Sequence, residues 1–150
     1  MAIQFLLAQP EQCNLLFRWA NDREVRQNSF HGESIDYEEH VHWFERILCS
    51  EESLLYVCYH GEEAIGQVRI DLEGEMDWIS YSIAREHRGK GYGTSILKNL
   101  IHILPSQKKG IQKLAGRVKH SNIPSQRAFE KAAYDFIETE EYIEYYKMLL

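Results

Sequence analysis

The chain has 150 residues, 44% hydrophobic and 27% charged, the profile of one soluble globular domain over residues 1–150 with a single substantial core. Its formal net charge of −6 argues against a nucleic-acid binder, which carries a basic face. No apolar run approaches the ~20 residues of a membrane span, and no basic region leads into an apolar stretch at the N-terminus, so a cytoplasmic protein without membrane contact is expected. The three cysteines, Cys13, Cys49 and Cys58, share no Cys-x-x-Cys spacing and read as free thiols. His40 and His42 are two apart, which points them in different directions on a helix, and no metal site is expected.

In chain order, Ile3 to Leu7 reads as a strand, and Pro10 fits the first turn of a helix through Trp19. Asp22 can start a short second helix. Ser34 to Cys49 is the clearest helix of the first half, because Tyr37, Val41, Phe44 and Leu48 recur at i, i+4, i+7 and i+11. His40, Trp43 and Ile47 form the neighbouring stripe, which predicts His40 at the edge of the buried face, bordering a cleft. Leu54 to Tyr59 is an apolar inner strand. Ile65 to Leu72 alternates, with Val68, Ile70 and Leu72 on one side and Gln67, Arg69 and Asp71 on the other. Gly74 marks a hairpin, and Trp78 to Ile83 alternates again, with Ile79, Tyr81 and Ile83 sharing a face. A helix follows to Leu104 and stops at Pro105. Leu114 to Val118 is a strand, Asn122 to Ala133 a helix, and the tail two strands joined near Glu144. The predicted fold is α/β, a mixed sheet of about seven strands with helices on both faces.

Between the fourth strand and its following helix lies Arg88-Gly89-Lys90-Gly91-Tyr92-Gly93-Thr94. Alternate glycines let backbone amides converge into a concave nest, and the helix start adds the positive end of its dipole. Such a loop suits a pyrophosphate. It is neither a P-loop, since no Gly-Lys is followed by a hydroxyl residue, nor a dinucleotide fingerprint, since the third glycine comes one residue early.

With Arg88, Gly91 and Gly93 in that position, and with Asn122, Ser125 and Phe129-Glu130-Lys131-Ala132-Ala133-Tyr134 in the next helix, the chain resembles the GCN5-related N-acetyltransferase (GNAT) superfamily. The resemblance runs along essentially the whole chain. It implies a mostly antiparallel sheet with a splayed fourth strand, acetyl-coenzyme A as acetyl donor and no metal. It implies that the loop from Arg88 through Gly89, Lys90, Gly91, Tyr92, Gly93 and Thr94 holds the pyrophosphate. Ser82 and Ile83 would then bind the pantetheine arm, and Asn122, Ser125 and Phe129 the other side of the donor. In the ribosomal-protein N-terminal acetyltransferases an acid tyrosine lies seven residues after the asparagine and a base glutamate five before it; here those positions hold Phe129 and Arg117. Ala133 stands where glycine is common.

Phe17-Arg18-Trp19-Ala20-Asn21-Asp22, Ile35-Asp36-Tyr37-Glu38-Glu39-His40 with Trp43-Phe44, and Gly66-Gln67-Val68-Arg69-Ile70-Asp71 resemble the nucleotide-sugar amine acetyltransferases of the pseudaminic-acid pathway. That narrower resemblance implies an acceptor amine on a UDP-linked 4-amino-4,6-dideoxy sugar. Arg18 and Arg69 would be substrate-binding residues, while His40 and Tyr81 would be catalytic. Arginine's planar fork suits diphosphate oxygens, and a sugar amine, less basic than lysine, suits a weak base such as His40. Glu75 and Asp77 are further candidate bases. A protein N-terminus, a polyamine or an aminoglycoside is the alternative acceptor, and a coenzyme A-binding module without turnover is the alternative of another class. A homodimer is a further partner expectation.

Overall fold

The computed structural model describes residues 2–104 and 112–149. Strand β1 (Gln4–Leu7) leads through a 3-10 turn (Pro10–Gln12) into α1 (Cys13–Ala20), α2 (Arg23–Asn28) and α3 (Tyr37–Cys49). Three strands follow, β2 (Ser53–His60), β3 (Glu63–Glu73) and β4 (Met76–Ile83), then a 3-10 turn (Arg85–His87) and α4 (Tyr92–Ile103). The chain closes with β5 (Gln112–Val118), α5 (Ile123–Lys131), β6 (Asp135–Glu138) and β7 (Ile143–Leu149). The seven strands form one sheet in the order β1-β2-β3-β4-β5-β7-β6, and every pair is antiparallel except β4 with β5.

The two faces of the sheet carry separate apolar clusters, so the expected single core is in fact divided. Val68, Ile70 and Ile79 pack with Ile96, Leu97 and Leu100 of α4 and Phe129 of α5. Leu55 and Val57 of β2 pack with Leu16 of α1 and Phe44 of α3. The division follows from the period of two: adjacent strand residues point to opposite faces, and both faces of the inner strands are covered. Gln67 and Arg69 therefore belong to the α1–α3 face, as the alternation predicts.

Side-chain caps start α2, α3 and α5. Asp36 accepts from the Glu39 amide at 3.3 Å and starts α3 at Tyr37, three residues later than the expected start at Ser34. The tail turn also lies elsewhere than expected: Thr139 and Tyr142 bond each other and close it, so Glu144 sits inside β7, opposite Arg117. Ala133 ends α5 with φ of 63°, a left-handed conformation that glycine adopts with less strain. Pro105, expected to stop α4, lies outside the described residues.

The feature that positions the site is the partial pairing of β4. Its register with β5 covers only Met76 to Trp78 against Lys113 to Ala115. Its register with β3 runs on to Ile83. From Ile79 onward the two parallel strands therefore part, and one edge of β4 is left without a neighbouring strand. This is the splay that the resemblance implies.

Candidate active site

Just beyond the open end of β4, Gly89 and Gly91 adopt φ of 77° and 84°. Gly91 is the N-cap of α4, and no side chain caps that helix, so the first-turn amides lack the internal partner most helix starts have. A Cβ built on Gly89 would meet nothing within 4 Å, so the outer side of the loop is open. Lys90 is exposed beside it. An uncapped, open helix start of this kind fits the pyrophosphate of acetyl-coenzyme A.

Not every residue of the loop faces outward. Tyr92 is buried and its hydroxyl lies 3.0 Å from His60 Nδ1, so its side chain anchors α4 and only its backbone stays at the helix start. A Cβ on Gly93 would come within 3.3 Å of the Tyr81 ring, so this glycine lets α4 pack closely on β4. Thr94 is half-buried. The Arg88 guanidinium is engaged by the protein itself. It donates to Asp22 Oδ1 at 2.6 Å and to the Ile83 carbonyl at 3.1 Å, and it forms an ion pair with Glu24 Oε2 at 3.1 Å. Asp22 also caps α2 through the amides of Glu24 and Val25. The glycine loop is thus tied to α2 through Asp22 and Glu24, a tether that spacing along the chain gave no means to see.

Across the splay, Tyr81 and Ser125 meet, with their hydroxyl oxygens 2.8 Å apart. Asn122 holds the start of α5 by accepting from the Ser125 amide at 3.3 Å. Burial pushes the Tyr81 phenol up to about 12, with the Ser125 hydrogen bond opposing it, so the phenol keeps its proton at neutral pH. Phe129 is buried, stacks on Tyr145 at 4.9 Å and meets Tyr81 edge-on at 6.0 Å. Its ring occupies the space above Gly116, where a Cβ would come within 2.7 Å. Arg117 lies over the rings of Trp78 at 4.3 Å and Tyr142 at 5.0 Å.

On the α1–α3 side of β4 lies a cavity of about 460 Å³. Ser80, Tyr81 and Ser82 form its β4 wall, Gln67 and Arg69 extend it onto β3, and Glu39, His40, Trp43 and Arg46 face it from α3. Ser82 accepts from Gln67 Nε2 at 3.1 Å. The Arg69 guanidinium bonds Asp71 at 3.1 Å and Ser80 at 3.4 Å, and sits 5.7 Å from the centre of the Trp43 ring. Arg26 lines the cavity with its donors spent on Ala20, His31, Glu33 and Ser29. Arg18 is exposed and is not part of the lining.

His40 departs from its expected rim position. Only 2% of it is exposed, and it packs between Phe17, Trp43 and Phe44. The inward turn is compensated by Cys13, whose carbonyl lies 3.0 Å from His40 Nε2. A carbonyl only accepts, so Nε2 carries the proton and Nδ1 is the basic atom. Burial lowers the His40 pKa, against the Cys13 hydrogen bond, and the ring is neutral at pH 7. Asp77 is buried within the sheet, on the face of Ile79, and neither it nor Glu75 lines the cavity. Among the described residues no group of three or more His, Cys, Asp or Glu side chains could hold a metal ion, and no helix is long and apolar enough to cross a membrane.

Comparison with known proteins identifies the fold and the family. The family model described as acetyltransferase (GNAT) domain matches residues 5–134. No curated protein matches the chain in sequence. Among solved structures, the aminoglycoside acetyltransferase AAC(6')-Ib in complex with coenzyme A is 17% identical over 99% of this chain and 94% of its own, with a TM-score of 0.79. RimL, a ribosomal L7/L12 alpha-N-protein acetyltransferase in complex with coenzyme A, is 11% identical over 99% and 95%, with a TM-score of 0.81. Spermidine N-acetyltransferase from Vibrio cholerae, with coenzyme A and spermine, is 12% identical over 97% and 95%, also at 0.81. At such identities the likeness shows the fold alone, while the family match covers most of the sequence. The chain belongs to the GNAT acetyltransferase family and is an acetyl-coenzyme A-dependent N-acetyltransferase.

Proposed function

We propose that the acceptor is an amine carried on an anionic molecule, most specifically the 4-amino group of a UDP-linked 4-amino-4,6-dideoxy sugar. The observation that carries this reading is the charge of the cavity. Arg26, Arg46 and Arg69 face it against one carboxylate, Glu39, although the chain as a whole is acidic. A polyamine or an aminoglycoside would meet this excess of positive charge, whereas a diphosphate would meet the Arg46 guanidinium, with Arg26 and Arg69 adding charge from positions held by their own protein partners. Trp43 adds a flat aromatic wall beside Arg69, suited to a sugar or a base.

Acetyl-coenzyme A supplies an activated acetyl thioester. The uncapped start of α4, with Gly89, Lys90, Gly91 and Thr94, holds its pyrophosphate, and the open edge of β4 around Ser82 and Ile83 holds its arm. Arg88 serves the same end by fixing the loop, and Asn122 with Ser125 by fixing the opposite side. His40, neutral and with Nδ1 unprotonated, takes a proton from the acceptor amine directly or through a water. Tyr81 keeps its proton and donates a hydrogen bond toward the departing sulfur. Full transfer from a phenol at about 12 to a thiolate of ordinary pKa ~8.5 is uphill, so the hydrogen bond is its contribution.

The test is coenzyme A thiol release with a panel of UDP-amino sugars, N-terminal peptides, spermidine and aminoglycosides. Turnover on the UDP-amino sugar is expected, with Tyr81→Phe and His40→Gln each lowering kcat roughly tenfold or more at unchanged coenzyme A affinity. Turnover on peptides alone would overturn the sugar reading, and unchanged rates in both variants would overturn the two catalytic roles.

A further inference from the structure

Resting on that reading of the acceptor, we propose that Glu39 holds the acceptor's ammonium group. Helix α3 would then bind a zwitterionic acceptor between two poles, Glu39 for the amine and Arg46 with Arg69 for the anionic group.

The cavity lining contains one carboxylate among the described residues, and it is Glu39. The nearby Asp71 is not part of the lining and is committed to Arg69 at 3.1 Å and to Ser53 at 2.8 Å. Glu39 has no ion-pair partner among the described residues, while its amide is fixed by Asp36 in the first turn of α3. Its neighbour Glu38 shares that turn, but only Glu39 faces the cavity. A carboxylate in a first turn is favoured by the helix dipole wherever it points, so placement in the turn alone assigns no role. The assignment comes from what surrounds it. An acceptor amine arrives as an ammonium, and the arginines of the same cavity repel it; only beside Glu39 does the lining offer an opposite charge.

The spacing turns this into a measure of length. Glu39, Trp43 and Arg46 recur at i, i+4 and i+7, so they share one face of α3. Two turns separate the charges, ~10 Å along the axis at 1.5 Å per residue. Trp43 lies between them, with Arg69 over its ring. An acceptor carrying its amine and its anionic group on opposite sides of one sugar-sized body satisfies both ends together. A molecule with only amines leaves the arginine end unmatched, and one with only phosphates leaves Glu39 unmatched.

The experiment is calorimetric binding with three probes: UDP, a UDP-linked 4-amino-4,6-dideoxy sugar, and its counterpart with hydroxyl in place of the 4-amine. The wild-type protein is expected to bind the amino sugar more tightly than the hydroxyl sugar by roughly tenfold or more, the scale of one charge-assisted hydrogen bond. In Glu39→Gln the preference should collapse toward one while UDP affinity is retained, and Glu39→Asp should restore part of it. Arg46→Gln should weaken all three probes and keep the amine preference. An undiminished preference in Glu39→Gln would overturn the role of Glu39. If none of the probes binds the wild-type protein, the nucleotide-sugar reading fails by itself, and Glu39 is tested on whichever amine turns over. There, Glu39→Gln should lower kcat/KM roughly tenfold at unchanged coenzyme A affinity, and an unchanged kcat/KM would overturn the assignment.

Discussion

Asp22 caps α2 and, with Glu24 beside it, holds the Arg88 guanidinium of the glycine loop. Burial works to raise its pKa, but the hydrogen bond from Arg88, the amides of Val25 and Glu24 and the Arg88 charge together bring it below the ordinary value. A lowered carboxylate stabilises the fold at pH values above its unfolded pKa of ~3.9, and the contribution is lost as pH falls through the folded value. Asn is itself a good N-cap, so Asp22→Asn removes chiefly the charge pair. With both side chains partly exposed, at 18% and 26%, the loss is discounted for solvent screening. The variant should be about 1–2 kcal/mol less stable at pH 7 by denaturant unfolding, with the gap closing below about pH 4. An equal gap at both pH values would show that the ion pair contributes nothing. This pairing spans 66 residues and leaves no local pattern in the sequence. His40 was legible only in part for the same reason: its period placed it beside the buried stripe, but the Cys13 carbonyl that lets it turn inward comes from another helix.

The elements themselves were largely legible, because their signals are local. Alternation in β3 and β4, the 3.6 period of α3 and the proline and asparagine at the start of α5 each appear within a few residues. The ends were less so, since Asp36 rather than Ser34 caps α3 and the Thr139–Tyr142 turn displaces the tail hairpin. The splay of β4 could be expected from the family resemblance but not from propensity. The structure adds where it begins, just past Trp78, and what borders it. Gly66 stands opposite Ile83, and a Cβ there would lie 2.4 Å from the Ser82 carbonyl oxygen and 3.2 Å from Ile83 Cα. Gly66→Ala must therefore push β3 and β4 apart beside the open edge. It should cost about 1–3 kcal/mol and weaken coenzyme A binding in the protein that remains folded. A folded Gly66→Ala protein with normal coenzyme A affinity would detach the geometry of this edge from donor binding.

At the scale of the molecule, net charge is a poor guide to the charge of one cavity. The formal charge of −6 leans toward a cationic substrate, yet the cavity gathers Arg26, Arg46 and Arg69 from α2, α3 and β3. Local charge governs binding, because a side chain at the cavity wall acts over a few ångströms while distant surface charge is screened within ~8–10 Å. Arg69 could be anticipated from its strand face. Arg46 and Glu39 could not, because their place in the cavity lining depends on which face of α3 turns inward. Arg18, chosen from a motif, is on the outside. The most direct measurement is the kcat/KM of a UDP-linked 4-amino-4,6-dideoxy sugar against that of the same amino sugar without the nucleotide, at rising salt. The account predicts a preference of roughly 100-fold or more for the nucleotide-linked form, shrinking as salt screens the arginines. Equal kcat/KM for the two sugars, or faster turnover of spermidine or an aminoglycoside, would contradict it.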